Sequence, residues 1–350
     1  MGSFWSGVGG KLAERWAALT APALVFWLGG LLAWTHARGG ARAWEAPADW
    51  LKRQPAGGQA VVLLGLLCAV GATAVAVDRL TRPVLVLLEG YWPAPLRPLR
   101  RKLTERVQRR RQTAQDDFQT LAPAIHGGTA TAEQRERYAS VDRALRRLPT
   151  GPRLLPTRTG NVLRAAETRP IDKYGLDAVV VWPRLWLLLP DPVRDELGGA
   201  RRALDSSVRA CVWGVLFVAF TPWTLWALPA GLAVAVAAVY VWVPARAEVF
   251  ADLLEAAFDL HRGALYTQLR WPLPANPAEE RVTGRRVTTY LLRGLDGTTP
   301  TFTSGDAAAP APSAGGGAGA GASPPPASSA GGGAGAGASP PPAPGTTTPP

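Results

Sequence analysis

The hydrophobic pattern of this chain is dominated by one long stretch without charge. Between Arg209 and Arg246 the sequence holds no Asp, Glu, Lys or Arg. A charge at the centre of a bilayer costs about 2.5–3.5 kcal/mol on insertion scales, so a stretch this clean is typical of a lipid-embedded segment. One crossing takes about 20 apolar residues, which makes the stretch too long for a single straight helix. Because Pro-Ala-Gly at residues 229–231 interrupts it, the pattern predicts a hairpin of two spans, residues 210–227 and 231–245.

Two further apolar runs lie near the amino terminus. Residues 16–35 are long enough to span and carry tryptophan at both ends, as in an interfacial aromatic belt. We interpret this run as a retained first span rather than a cleaved signal peptide, which shares its polarity but has a shorter apolar core. Residues 60–77 predict a second span, and residues 36–59 a polar extracytoplasmic loop. Residues 83–92 are apolar but too short to cross, so we expect them at the interface or in the soluble core.

Basic residues are concentrated on one amphipathic helix between residues 97 and 121. Apolar positions recur along it every three or four residues beside a strongly basic flank. Such a flank docks on anionic lipid headgroups at about 1 kcal/mol per basic residue near the surface. The plainer interpretation is a solvated face that only fixes topology, and both stay open. The candidate lipid contacts are Arg97, Arg100, Arg101, Lys102, Arg106, Arg109, Arg110 and Arg111.

Capping residues predict the remaining helices of the segment 78–209. Thr131 begins a capping box, Thr157 or Thr159 starts a short helix, and Asp191 is followed by proline as a helix start.

The segment also holds one ambiguous run and one long helical one. Val-Val-Val-Trp at residues 179–182 is β-branched and favours a buried strand or extended piece, with a turn of helix from Pro183. Apolar residues after Asp191 continue at helical spacing into residues 210–227. We therefore expect one helix to run from the soluble part into the third span.

The carboxyl-terminal part divides into helices and a tail. Residues 246–293 predict further cytoplasmic helices, with Pro244 able to begin the first of them. Residues 313–327 read SAGGGAGAGASPPPA, and residues 329–343 repeat this sequence. Gly, Ala and Pro bury too little apolar surface to offset the entropy of ordering, so residues 294–350 are predicted to be a disordered tail.

Charge decides the expected topology. The net charge is +12 and the pI is about 10.6, and arginines crowd the ends of the apolar runs. This placement favours anionic headgroups over nucleic acid as the partner. With four spans, residues 1–15, 78–209 and 246–350 share one side, which the positive-inside rule makes cytoplasmic. The basic residues of the 36–59 loop oppose this mildly. We predict an all-α, multi-pass membrane protein with about four transmembrane helices, a mostly helical cytoplasmic domain and both termini cytoplasmic.

Candidate chemistry is sparse. The three histidines have no metal-ligand spacing, and neither a phosphate-binding GxxxxGK[ST] loop nor a GxSxG nucleophile motif occurs. Cys68 and Cys211 both fall in apolar runs and are interpreted as inert membrane thiols. No catalytic, cofactor-binding or metal-binding residue is predicted.

Several short motifs carry a resemblance. They are PTRTGNVLRAAE at residues 156–167, YGLD at 174–177, VWPRLW at 181–186, AFDLHR at 257–262 and LRWPLP at 269–274. The chain resembles a family of uncharacterised multi-pass membrane proteins of high-GC actinobacteria. The resemblance implies an inner-membrane location and no named activity.

Three functions compete at this stage. The first is a non-enzymatic membrane scaffold or regulator that binds a protein partner or lipid on the cytoplasmic side. The second is an oligomeric channel or transport component. The third is a membrane enzyme using His126 or the carboxylates of Glu167, Asp172 and Asp177.

Overall fold

The computed structural model describes residues 2–294 and 301–303, with side chains from residue 20 onward. Helices follow one another throughout these residues and no strand occurs among them, which confirms the all-α prediction. The α-helices are α1 (Gly2–Ala37), α2 (Glu45–Lys52), α3 (Ala56–Glu89), α4 (Arg97–His126), α5 (Ala132–Arg146), α6 (Arg158–Tyr174), α7 (Ala178–Leu188), α8 (Asp191–Phe217), α9 (Ala227–Ala237), α10 (Val243–Gln268) and α11 (Pro277–Arg293).

Among the residues that the structure describes, three helical segments are long and apolar enough to cross a membrane. They begin at Ala56, Asp191 and Ala227. Only 11% of the most apolar window of the first segment is buried against the rest of the described chain. So large an exposed apolar surface is unfavourable in water, whereas it is favourable in contact with lipid.

Helix α3 unites two elements that the sequence separates. We predicted a span ending at residue 77 and a separate apolar piece at 83–92, but one helix runs from Ala56 to Glu89. Asp78 lies inside this helix and pairs with Arg209 of α8, with 3.1 Å between the Nη1 and Oδ1 atoms. The helix ends at Gly90, which adopts a left-handed φ of 99°. The predicted polar loop before α3 likewise contains the short helix α2.

The turn of the apolar hairpin lies earlier than predicted. Helix α8 ends at Phe217, and 3₁₀ and turn residues lead to the start of α9 at Ala227. Residues 229–231, which we assigned to the turn, belong to the first turns of α9. Pro229 is tolerated there because the first helical N–H groups need no intrahelical acceptor.

Gly231 has a packing role instead. A Cβ atom placed on it would lie 2.6 Å from the carbonyl oxygen of Gly214 on α8. The absence of a side chain therefore lets the α8 and α9 backbones touch, as small residues do between membrane helices.

Pro244 does not begin a separate helix. A π-helical segment, Ala238–Trp242, joins α9 directly to α10. Proline lacks the N–H that would bond four residues back, and a wider π turn is a common way to absorb that loss. The result is a continuous helix from the apolar region into the charged part of the fold.

The predicted strand at residues 179–182 is wrong. Helix α7 covers these residues and includes Pro183, and the Asp177 side chain accepts a hydrogen bond from the Val179 N–H at its start. Ala178, Val181 and Leu185 are buried at helical spacing. Burial of one helical face outweighs the β propensity of the valines, which is context-dependent.

The main hydrophobic core lies among α6, α7, α8, α10 and α11. Its largest fully buried side chains include Phe258, Tyr266, Leu185 and Leu204. The capping box at Thr131 is confirmed, as is a continuous α8 from Asp191 to Phe217. The helix that begins after Thr157 is longer than expected and ends only at Tyr174.

The beginning of the predicted tail contacts this body. The Thr303 N–H donates to the Arg270 carbonyl at 2.8 Å, and the Phe302 ring lies 6.3 Å from that of Tyr290. Disorder is therefore wrong for residues 301–303. The repeat at 313–343 lies outside the described residues.

Candidate functional site: a basic arm and the charged cleft at its base

Helices α4 and α5 form a helical hairpin, here named the arm. Phe118 stacks on Tyr138 with ring centroids 4.7 Å apart, and Arg137 pairs with Asp117 at 3.0 Å. Neither helix has a buried residue. The arm therefore has no core of its own beyond this narrow seam, and it exposes most of its surface.

The eight predicted lipid contacts do not share one side of α4. An α-helix turns by about 100° per residue, and on this geometry four of the eight lie within an arc of about 100° around the helix axis. These four, Lys102, Arg106, Arg109 and Arg110, are named the basic face. All four are exposed, and none forms an ion pair with another described residue. Arg100 and Arg111 lie instead on the half-buried side, and the Arg111 guanidinium donates to the Gly151 carbonyl at 3.0 Å.

The base of the arm is held by one glutamate. The Glu248 carboxylate forms ion pairs with two arginines: its Oε2 atom lies 2.8 Å from Nη2 of Arg147, and its Oε1 atom lies 2.7 Å from Nη2 of Arg158. Its side chain is only 15% exposed, and it stands in α10 just beyond the apolar part of the helix. Glu248 thus joins the end of α5 and the start of α6 to a helix that continues into the apolar region.

A charged cleft of about 620 Å³ opens beside this joint. Cations of α5 and α6 stand opposite acids of α10. The charged lining residues are Arg143, Arg146, Arg147, Arg169, Lys173, Asp252, Glu255 and Asp259.

Two of the three acids of this cleft, Glu255 and Asp259, are already engaged by opposing groups. Glu255 pairs with Arg169 and, at 2.8 Å, with Lys173. Tyr174 donates to Asp259 at 2.6 Å, and burial together with this bond raises the pKa of Tyr174 to about 12. The phenol is therefore neutral at pH 7 and acts as a hydrogen-bond donor. The arrangement can hold helices together and orient the arm.

Sequence reasoning missed this cleft, although a signal was present. Acids recur at residues 248, 252, 255 and 259, the spacing of one helical face. Matching cations occur on α6, but only the packing of α6 against α10 brings the two rows together.

The residues considered for enzymatic chemistry are engaged elsewhere. His126 is exposed at the end of α4, with Nδ1 2.7 Å from the Ala122 carbonyl oxygen. Glu167 pairs with Arg164, Asp172 accepts from Thr150, and Asp177 caps α7. Within the described part of the chain, no hydrogen bond joins His126 to these carboxylates, and no group of three His, Cys, Asp or Glu side chains could hold a metal ion.

The fold and this site define a class: an all-helical protein with membrane-length apolar helices and a charged helical body. No protein-family model, curated protein or solved structure matches the chain. The resemblance to the actinobacterial membrane-protein family therefore stays a prediction.

Proposed function

We propose that the chain is a non-enzymatic scaffold or regulator of the bacterial inner membrane, whose arm docks on anionic lipid headgroups. The observation that carries this proposal is the basic face of α4, with four exposed cations that have no ion partner among the described residues. Cations near an anionic bilayer surface contribute about 1 kcal/mol each, so four of them contribute on the order of 4 kcal/mol.

Under this proposal the chain crosses the bilayer four times. The spans are the apolar part of α1, the first two thirds of α3, the end of α8 and the segment from α9 into the start of α10. Both termini and the helical body lie in the cytoplasm, as the positive-inside rule favours. The soluble body is then the surface that receives a protein partner.

Lipid docking is tested on the full chain in a neutral detergent. Short-chain phosphatidylglycerol and short-chain phosphatidylcholine are titrated separately, and binding is followed by microscale thermophoresis at several salt concentrations. We expect binding of the anionic lipid alone, weakening as salt rises.

Two variants with the same change in charge locate the contact. One replaces the four cations of the basic face with Gln and should bind phosphatidylglycerol at least tenfold more weakly. The control replaces four exposed arginines of α11 with Gln and should bind as the wild type does: Arg281, Arg285, Arg286 and Arg293. Equal losses in both variants would show that net charge alone attracts the lipid, and the proposal would be wrong.

A second candidate is an oligomeric channel or transport component. The observation that favours it is the outer face of α3, where Cys68, Gly71, Ala72 and Ala76 line a shallow groove formed by this helix alone. Small residues in such a row let membrane helices approach closely. Copper-catalysed oxidation in native membranes would trap a dimer through exposed Cys68, and an electrically silent proteoliposome would exclude the channel.

A further inference from the structure

A second cleft, named the aromatic cleft, lies in the soluble body away from the arm. It measures about 600 Å³ and opens between α7, α8 and α10. Its walls include Trp182, Pro183, Trp186, Gly198, Arg201 and Phe250. This volume falls within the range of small-molecule sites, which are mostly apolar with a few placed polar groups.

Three of the seven residues that line the cleft are aromatic. The centroids of Trp182 and Trp186 are 5.7 Å apart with their planes at 51°, and Trp182 also contacts Phe258 of the core at 5.8 Å. Both tryptophans are half-buried, so each offers part of its indole surface to the cleft. Neither indole N–H has a hydrogen-bond partner among the described residues. A flat aromatic guest extends this cluster by stacking.

Arg201 is the one charged residue that lines the cleft within the described chain. Its Nε atom lies 3.2 Å from the Asp205 carboxylate, and its guanidinium stands 5.8 Å from the Phe250 ring centroid. These two contacts orient the guanidinium while its terminal nitrogens form no hydrogen bond to another described residue. A planar fork held in this way matches a carboxylate, which it binds through two parallel hydrogen bonds.

We propose that the aromatic cleft binds an aromatic carboxylate, with its ring against Trp182 and Trp186 and its carboxylate on Arg201. Asp205 engages only the Nε side of the Arg201 guanidinium and no acid lines the cleft, so the terminal nitrogens of Arg201 suit an anionic guest. Gly198 forms part of the wall, and a Cβ atom on it would meet only the flexible end of Arg202, at 3.2 Å. The missing side chain therefore leaves room that a larger residue would fill.

This site goes beyond the proposed scaffold role. Gly198 and Arg201 stand on α8 and Phe250 on α10, and both helices continue into the apolar region. A bound guest therefore touches two helices that the proposal places across the membrane. Lipid docking by the arm involves none of these residues, so either proposal can fail without the other.

The test uses the full chain in nanodiscs of zwitterionic lipid, with empty nanodiscs as the blank. Isothermal titration calorimetry and saturation-transfer NMR compare 2-naphthoate with neutral 2-naphthamide. We expect 2-naphthoate to bind at least tenfold more tightly, because only the carboxylate pairs with Arg201. Equal binding of the two compounds, or octanoate binding as tightly as 2-naphthoate, would overturn the assignment to an aromatic carboxylate.

Matched variants locate the site. Gly198→Leu should abolish 2-naphthoate binding, whereas Gly199→Leu, one residue away and outside the cleft, should leave it intact. Both changes raise helix propensity, and a melting curve for each variant verifies that it folds. Arg201→Gln should weaken binding at least tenfold and Arg202→Gln should not. Unchanged binding to Gly198→Leu or to Arg201→Gln, or a similar loss in the Arg202 variant, would place the ligand elsewhere.

Discussion

Replacing Gly231 with alanine tests the contact between α8 and α9. The added Cβ would lie 2.6 Å from the Gly214 carbonyl oxygen, whereas ordinary van der Waals contact begins at 3.4 Å. The obstacle is backbone rather than the end of a flexible side chain, so the two helices must separate. Overpacking of this kind costs about 1–3 kcal/mol. The helix propensity of alanine offsets part of that, by about 1 kcal/mol at most.

Gly71→Ala is the matched control. Gly71 also lies in an apolar helix, but a Cβ atom there meets nothing within 4 Å. This variant gains helix propensity without a clash, so it should melt at or slightly above the wild-type temperature. The melting temperature of Gly231→Ala should fall by about 2–4 °C for each kcal/mol of stability lost, the scale for a domain of 150–250 residues.

Cys211 provides the assay. Its side chain is buried with Ala235 and Ala238 where α8 meets the hairpin partner. In a Cys68→Ser background, a maleimide dye should react with Cys211 only as this interface opens on heating. Should Gly231→Ala label at the same temperature as Gly71→Ala, the close approach of the two backbones would be refuted.

Three other expectations follow from single contacts. Burial, with Glu167 nearby, raises the pKa of Glu89 despite Arg201. The ionised carboxylate thus destabilises the fold as pH rises above the pKa that Glu89 has in the unfolded chain. The melting temperature of Glu89→Gln should therefore exceed that of the wild type at pH 8 and equal it at low pH. Asp78→Asn should lower the melting temperature by leaving Arg209 without its partner, and the exchanged pair Asp78→Arg with Arg209→Asp should recover part of the loss. Thr131→Ala should lower stability by about 1 kcal/mol in denaturant titrations that report on α5, since the capping box is lost.

Elements whose signals are local were predicted well. The capping box at Thr131 formed as predicted, because a side chain that reaches a backbone N–H three residues away needs no partner elsewhere. The continuity of α8 was also predictable, since helical spacing and the absence of an internal proline lie in one stretch of sequence.

Errors arose where one residue type serves two purposes. Proline and glycine at 229–231 have turn chemistry, but Pro229 suits a helix start and Gly231 suits a helix crossing. The valines at 179–181 have β propensity, yet the burial of one helical face decided their conformation. The choice in each case depends on a neighbour that is distant in sequence.

The sequence by itself determined the class of protein: apolar helices of membrane length, a basic helical segment, and a Gly-, Ala- and Pro-rich repeat. Hydrophobic periodicity, charge and caps act over a few residues, so they can be interpreted along the chain. The tertiary structure decided which helices touch, and with that the Glu248 joint, the pairing of Asp78 with Arg209, and the aromatic cleft. These features combine groups from helices far apart in sequence, and their positions depend on which helical faces pack together.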